Sequence, residues 1–186
     1  MEVVLVRHGE TEWSRSGRHT GRTDVPLTPA GARSAELLAP RLERWRFAAV
    51  FTSPLSRAAE TCRLAGVGEG AQVRQELLEW DYGEYEGLTT PEIREGRPGW
   101  LLWRDGCQGG EDARQVGSRA DKLLGELRGL DADVALFAHG HVLRVIAARW
   151  LGLPPEAGTL FALSTGTVSV LGHEWETAVI RLWNAP

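Results

Sequence analysis

Only two cysteines, Cys62 and Cys107, occur in 186 residues, and neither sits in a zinc-type spacing. Two free thiols in a reducing, cytoplasmic compartment is the simple reading. No apolar run approaches the ~20 residues of a membrane helix, so no membrane partner is expected. The first strand-like run begins at residue 2 or 3, which leaves no room for a charged leader and its apolar segment. An excess of positive charge is lacking too. A net charge of −4 argues against a nucleic-acid footprint and makes the arginines local devices. No internal repeat, linker or low-complexity tract interrupts the chain. With ordinary apolar and charged fractions, these absences leave one globular domain over residues 1–186, long enough for a full core.

What is there begins with Val3-Val4-Leu5-Val6-Arg7-His8-Gly9-Glu10-Thr11. An apolar run of strand type stops at Arg-His-Gly, placing an imidazole and a fixed cation where a buried strand emerges. In α/β sheets such C-terminal strand ends form the crevice where ligands bind. The bland alternative is a loop histidine beside a solvated arginine. Residues 11–25 are polar, with Arg15, Arg18 and Arg22 among glycines, which suits a loop around an anion or a plain solvated connection. Thr28-Pro29 predicts a helix start. Ala35, Leu38, Ala39, Leu42 and Trp45 share its apolar face, and Pro40 should kink or split it.

Residues 47–52 read as a second strand. Ser53-Pro54 repeats the cap-plus-proline start and puts Arg57 in the first turns of a helix. Residues 71–75 predict a short third strand, 76–87 an acidic and aromatic stretch, and 89–105 short helical pieces. Asp112 and Gln115 form a capping box that opens a longer helix. Residues 134–138 read as a fourth strand ending in His139-Gly140-His141, with a helix following to about residue 151. Residues 160–183 read as two or three strands, with Gly166 and Gly172 at turns. This alternation implies an α/β fold, a three-layer α/β/α sandwich around a mostly parallel sheet with antiparallel edge strands at its end.

Arg7, His8, Arg57 and His139 thus fall at strand ends or strand-to-helix junctions that share one sheet edge, and Glu79 lies in the acidic stretch. Two histidines and two arginines around one point repel each other unless an anion sits between them. A phosphoryl group, with charge spread over three oxygens, suits that arrangement. Helix-start amides near Gly140 could add donors to the same anion.

Four motifs lie in order along nearly the whole chain: Arg7-His8-Gly9-Glu10-Thr11, Ser53-Pro54-Leu55-x-Arg57-Ala58-x-x-Thr61, Glu79-x-x-Tyr82-Gly83-x-Tyr85-Glu86-Gly87 and His139-Gly140-His141. Together they resemble the histidine phosphatase (phosphoglycerate mutase-like) superfamily. The stretches from Thr11 to Asp24 and from Trp103 to Cys107 resemble more specifically its sedoheptulose-bisphosphatase-like sugar phosphatases and its broad-specificity bacterial acid phosphatases. The resemblance implies hydrolysis of small phosphomonoesters, sugar phosphates among them, through a phosphohistidine. His8 would be the nucleophile, kept neutral by flanking arginines. Arg7, Arg57 and His139 would hold the phosphoryl oxygens. Glu79 would protonate the leaving oxygen and then activate water. Ser14, Thr20, Gly21, Gly140 and His141 would contact phosphate or substrate. No metal and no cofactor are implied, because the arginines already supply the positive charge.

Rival readings remain beside it. Ser14 and His141 stand where the family's mutases have asparagine, and Thr90 where they have a lysine for a second phosphate. The mutases' long insertion is missing as well, so hydrolysis is favoured over phosphotransfer. A non-catalytic phosphate-binding scaffold would have no chemical need for Glu79. His139-x-His141 could be a metal pair, but it lacks a third ligand and has Arg7 as a poor neighbour. Trp13, Trp80, Trp100 and Trp103 could line a substrate mouth or simply pack. His19 and His173 read as exposed or structural. The apolar terminal strands could pair across a homodimer, though nothing demands it.

Overall fold

In a computed structural model describing all 186 residues, the opening run becomes strand β1 (Val3–Arg7). Its side chains alternate between two cores: Val3 and Leu5 enter one, Val4 and Val6 the other. A strand apolar on both faces must lie inside a covered sheet. Burying each of these side chains contributes on the order of 1.5–3 kcal/mol, which anchors the strand that carries the site's first two residues.

β1 pairs in parallel with β4 (Val134–Ala138), which pairs in parallel with β2 (Ala49–Thr52) and so with β3 (Gln72–Val73). On its other side β1 meets β5 (Val168–Glu174) antiparallel, and β6 (Thr177–Ala185) closes that edge. The order is β3-β2-β4-β1-β5-β6. One face is covered by Leu38, by Leu42 of α3 (Ala39–Leu42), and by Cys62 of α4 (Ser56–Leu64), with α2 (Pro29–Glu36) packed on α4. The other face is covered by α7 (Ala113–Arg128) and α8 (Gly140–Trp150). The short helices α1 (Glu12–Arg15), α5 (Thr90–Gly96) and α6 (Leu102–Asp105) belong to the connecting excursions. The three layers, the parallel strands and the antiparallel edge are as the alternation implied, and Pro40 does split its helix into α2 and α3.

Register positions the site. Arg7 stands opposite Ala138, and Thr52 opposite Phe137. The next residue of each strand, His8, His139 and Ser53, therefore leaves the sheet at the same edge.

Three local expectations need correction. The helix after β2 starts at Ser56, not after Ser53, because its first amide is capped from elsewhere in the chain. Asp24 accepts from the Ser56 N–H at 2.9 Å and from its hydroxyl at 2.8 Å. Gly172 lies inside β5 rather than at a turn, where an added Cβ would come within 2.7 Å of the Arg181 side chain. The hairpin instead turns at Trp175, whose φ is 54°. The third strand shrinks to two residues and passes directly into a 3-10 turn, Gln75–Leu77.

Candidate active site

Arg7 ends β1 and His8 follows it, and both line a cavity of about 180 Å³. The His8 Nδ1 lies 2.7 Å from the Gly9 carbonyl oxygen. A carbonyl can only accept, so Nδ1 carries the proton and Nε2 keeps a free lone pair. Burial, and then the charges of Arg7 and Arg57, hold the ring well below the ordinary histidine range. The backbone around it is packed without slack. Gly9 N–H donates to the Thr61 hydroxyl at 3.0 Å, and an added Cβ on Gly9 would stand 2.3 Å from the Gly31 carbonyl oxygen.

Arg7 is held by a bond from Nη1 to the Leu163 carbonyl, while its buried Nε has no protein partner. An unpartnered buried donor beside a neutral imidazole suits an incoming anion. Gly140 forms the adjacent wall. A Cβ there would press to 3.2 Å on the Arg7 guanidinium carbon.

The Glu79 carboxylate sits at the start of α8. Oε1 accepts the amides of Trp80 and Val142, each at 2.9 Å, and Oε2 accepts that of His141 at 2.9 Å. The helix-start amides of His141 and Val142, expected to face the anion, are thus taken by Glu79. With one amide only, Oε2 keeps a lone pair for the cavity that Glu79 lines.

Arg57 and His139 are fully buried and stand behind that cavity rather than on its wall. Arg57 Nε–H donates to His139 Nδ1 at 3.0 Å, and Nε2 of His139 meets Ser53 Oγ at 2.8 Å. The remaining Arg57 donors hold the carbonyls of Thr20, Gly21 and Thr23 at 2.9–3.1 Å. The same loop is gripped from its other side by Glu86, which accepts from Gly21 N–H at 2.9 Å and from Thr23 N–H at 3.1 Å. Gly21 therefore serves the loop's shape. A Cβ on it would meet the Trp80 carbonyl oxygen at 2.6 Å.

Ser14, Thr20 and His141 do line the cavity, together with Arg18, His19, Tyr82 and Arg144. His141 Nδ1 lies 2.6 Å from the Tyr82 hydroxyl, and burial first, then Arg144, keeps its ring well below the usual range. His19, read from the sequence as exposed or structural, is a wall residue packed on Tyr82, with its pKa lowered to about 4 by burial. Trp80 and Trp100 are buried, and none of the four tryptophans reaches the cavity. Packing, not lining, is their role. As for a metal pair, both ring nitrogens of His139 are engaged, one of them by a cation.

The sequence profile of the histidine phosphatase superfamily (branch 1) matches residues 3–186. The chain belongs to that superfamily. An acid phosphatase of Mycobacterium tuberculosis is 44% identical over 99% of this chain and 94% of its own. The sedoheptulose 1,7-bisphosphatase of Saccharomyces cerevisiae is 38% identical over 81% of this chain and 67% of its own. Among solved structures, one from M. tuberculosis superposes with a TM-score of 0.94 at 40% identity, covering 99% of this chain and 97% of that one. A mycobacterial glucosyl-3-phosphoglycerate phosphatase in complex with VO3 superposes at 0.89 with 28% identity, covering 100% and 99%.

Several parts of this histidine phosphatase's site were missed in its sequence. Ser53, which reads in the sequence as a helix cap, faces His139. Arg144, one turn along α8 from His141, lies over the Trp103 ring at 4.7 Å and reaches the cavity. Its i, i+3 spacing from His141 was the available signal. Thr61 and Glu86 stood inside quoted motifs but received no role.

Proposed function

We propose that this protein hydrolyses small phosphomonoesters, sugar phosphates among them, through a phosphohistidine at His8. The observation that carries the reading is the convergence on one small polar cavity of three residues: a neutral His8 whose Nε2 is free, the cation Arg7, and Glu79, whose Oε2 holds a single amide. Nε2 forms the N–P bond as the P–O bond to the leaving group breaks, and the departing oxygen takes the proton of the Glu79 carboxyl. The resulting carboxylate then takes a proton from water as its oxygen attacks phosphorus. The N–P bond breaks, and neutral His8, protonated Glu79 and inorganic phosphate result.

Arg7 holds the phosphoryl oxygens, and Gly140, Ser14, Thr20 and His141 line their surroundings. Arg57 completes the positive field from behind the wall, and the neutral His139 can offer only its Nε2 proton. A direct contact from His139 would exchange its Ser53 partner for the anion. Arg18 and Arg144 at the cavity suit small anionic metabolites, in keeping with the substrates named for the yeast and mycobacterial relatives.

The test is turnover of 4-nitrophenyl phosphate and a panel of sugar mono- and bisphosphates without added metal. Release of inorganic phosphate supports the reading. Binding without turnover would indicate a scaffold, and exchange between monophosphoglycerates with little phosphate release a mutase.

A further inference from the structure

We propose that Arg119, on α7, is a positioning residue that aims Glu79 for proton transfer. The inference rests on the proposed acid–base role of Glu79. No helix or strand covers residues 78–82, so the Glu79 backbone takes its place from side-chain contacts. All five N–H donors of Arg119 are used there. Nη1 donates to the carbonyls of Glu76 at 2.7 Å and Leu78 at 2.6 Å, and Nη2 to that of Glu79 at 3.2 Å. Nε and Nη2 grip the Glu111 carboxylate at 2.9 and 3.1 Å.

Glu111 extends the clamp along the chain. Its Oε2 accepts the Asp81 N–H at 2.8 Å, its carbonyl accepts Trp80 Nε1 at 2.8 Å, and its own N–H donates to the Asp81 carbonyl at 2.8 Å. The segment from 76 to 81 is therefore strung on one half-buried ion pair, with Glu79 near its middle. Glu79 is fixed at both ends: its main chain by Arg119, its carboxylate by the start of α8. A lysine cannot reproduce this, because one ammonium cannot span three carbonyls and a carboxylate at once.

Displacing a catalytic group by about 1 Å can cost on the order of 10²-fold in rate. That loss falls on leaving groups that need a proton. The experiment compares single-turnover phosphoenzyme formation from a sugar phosphate and from 4-nitrophenyl phosphate, in the parent protein, Glu79→Gln, Arg119→Lys, Arg119→Ala, Glu111→Gln and the double variant Arg119→Lys/Glu79→Gln. Melting curves run beside the kinetics.

The clamp predicts that a folded Arg119→Lys loses about 10- to 10²-fold on the sugar phosphate and several-fold less on the aryl ester. Glu111→Gln should lose in the same direction, and the double variant should be no slower on the sugar phosphate than Glu79→Gln alone. Equal losses on both esters in the Arg119 variants, or losses that multiply in the double variant, would overturn it. So would failure of both Arg119 variants to fold beside a normal Glu111→Gln, which would mark Arg119 as a folding residue. If Glu79→Gln itself slows both esters equally, the acid assignment fails first and the clamp falls with it.

Discussion

Arg57 donates its Nε–H to Nδ1 of His139 at 3.0 Å, with both side chains fully buried. An arginine cannot accept that bond in return, so Nδ1 is bare and the imidazole is neutral, with its proton on Nε2 towards Ser53. Burial first, and then the Arg57 charge, hold His139 well below the ordinary histidine range. One arginine thereby sets a tautomer and, through three carbonyls, the shape of the loop at 20–23.

Arg57→Lys should lose both functions. Each carbonyl left unpartnered in that buried site costs about 1–3 kcal/mol. Chemical denaturation should therefore show a destabilised protein whose kcat falls as well. Parent-like stability with parent-like kcat would contradict the role given to the Arg57 fork.

Gly140→Ala isolates the position of Arg7. The added methyl meets the guanidinium at 3.2–3.5 Å while the Leu163 carbonyl holds it from elsewhere. Stability should change little, and kcat/KM should fall by roughly 10-fold or more through a misplaced cation. Steady-state kinetics beside a melting curve read both, and an unchanged kcat/KM would show that Arg7 does not need its present place.

Acid should destabilise the fold. His8, His139 and His141 are held well below the usual range, and His19 lies at about 4, with burial the first cause at each. Below about pH 6.5 the unfolded chain binds protons that the folded one refuses, so stability rises with pH there. The His19 contribution is complete above about 6.5 and is lost as pH falls towards 4. The other three extend the loss lower. Urea midpoints should drop steadily from about pH 7 to about pH 5, and a flat profile would contradict the burial argument. Phosphoenzyme formation should persist across that range, because His8 stays neutral. An acid limb near 6.5 in that step would mark His8 as an ordinary exposed imidazole.

Chelation should leave turnover intact, since in the proposed reaction Arg7 supplies at the phosphoryl group the charge a divalent ion supplies elsewhere. Activity abolished by a chelator and restored by one metal would reverse this, and would mean that His139 gives up its bonds to Arg57 and Ser53.

Features legible along the chain were the local ones. β1, the split at Pro40 and the Asp112–Gln115 capping box depend on neighbours a few residues apart, and each was found where the pattern put it. Ser53 reads as a cap because a proline stands next to it, while its hydrogen-bond partner, His139, lies 86 residues away. Arg119 was invisible for the same reason: its partners are brought together only when residues 76–79 fold across α7. The amides at the start of α8 looked free for an anion until Glu79, 62 residues upstream of His141, came round to occupy two of them. Convergence on one edge could be inferred from topology. Which donors were already taken could not.

The most direct test of the whole account is the chemical site of the phosphoenzyme. The protein is mixed with a labelled phosphomonoester in the presence of chelator, quenched in alkali, and the modified residue is identified by mass spectrometry and phosphorus NMR. The account predicts an acid-labile phosphate on His8, attached at Nε2 because Nδ1 carries the proton bound to the Gly9 carbonyl, and absent from His8→Ala. A phosphate on Nδ1 or on another residue, or substantial turnover by a folded His8→Ala protein, would contradict it.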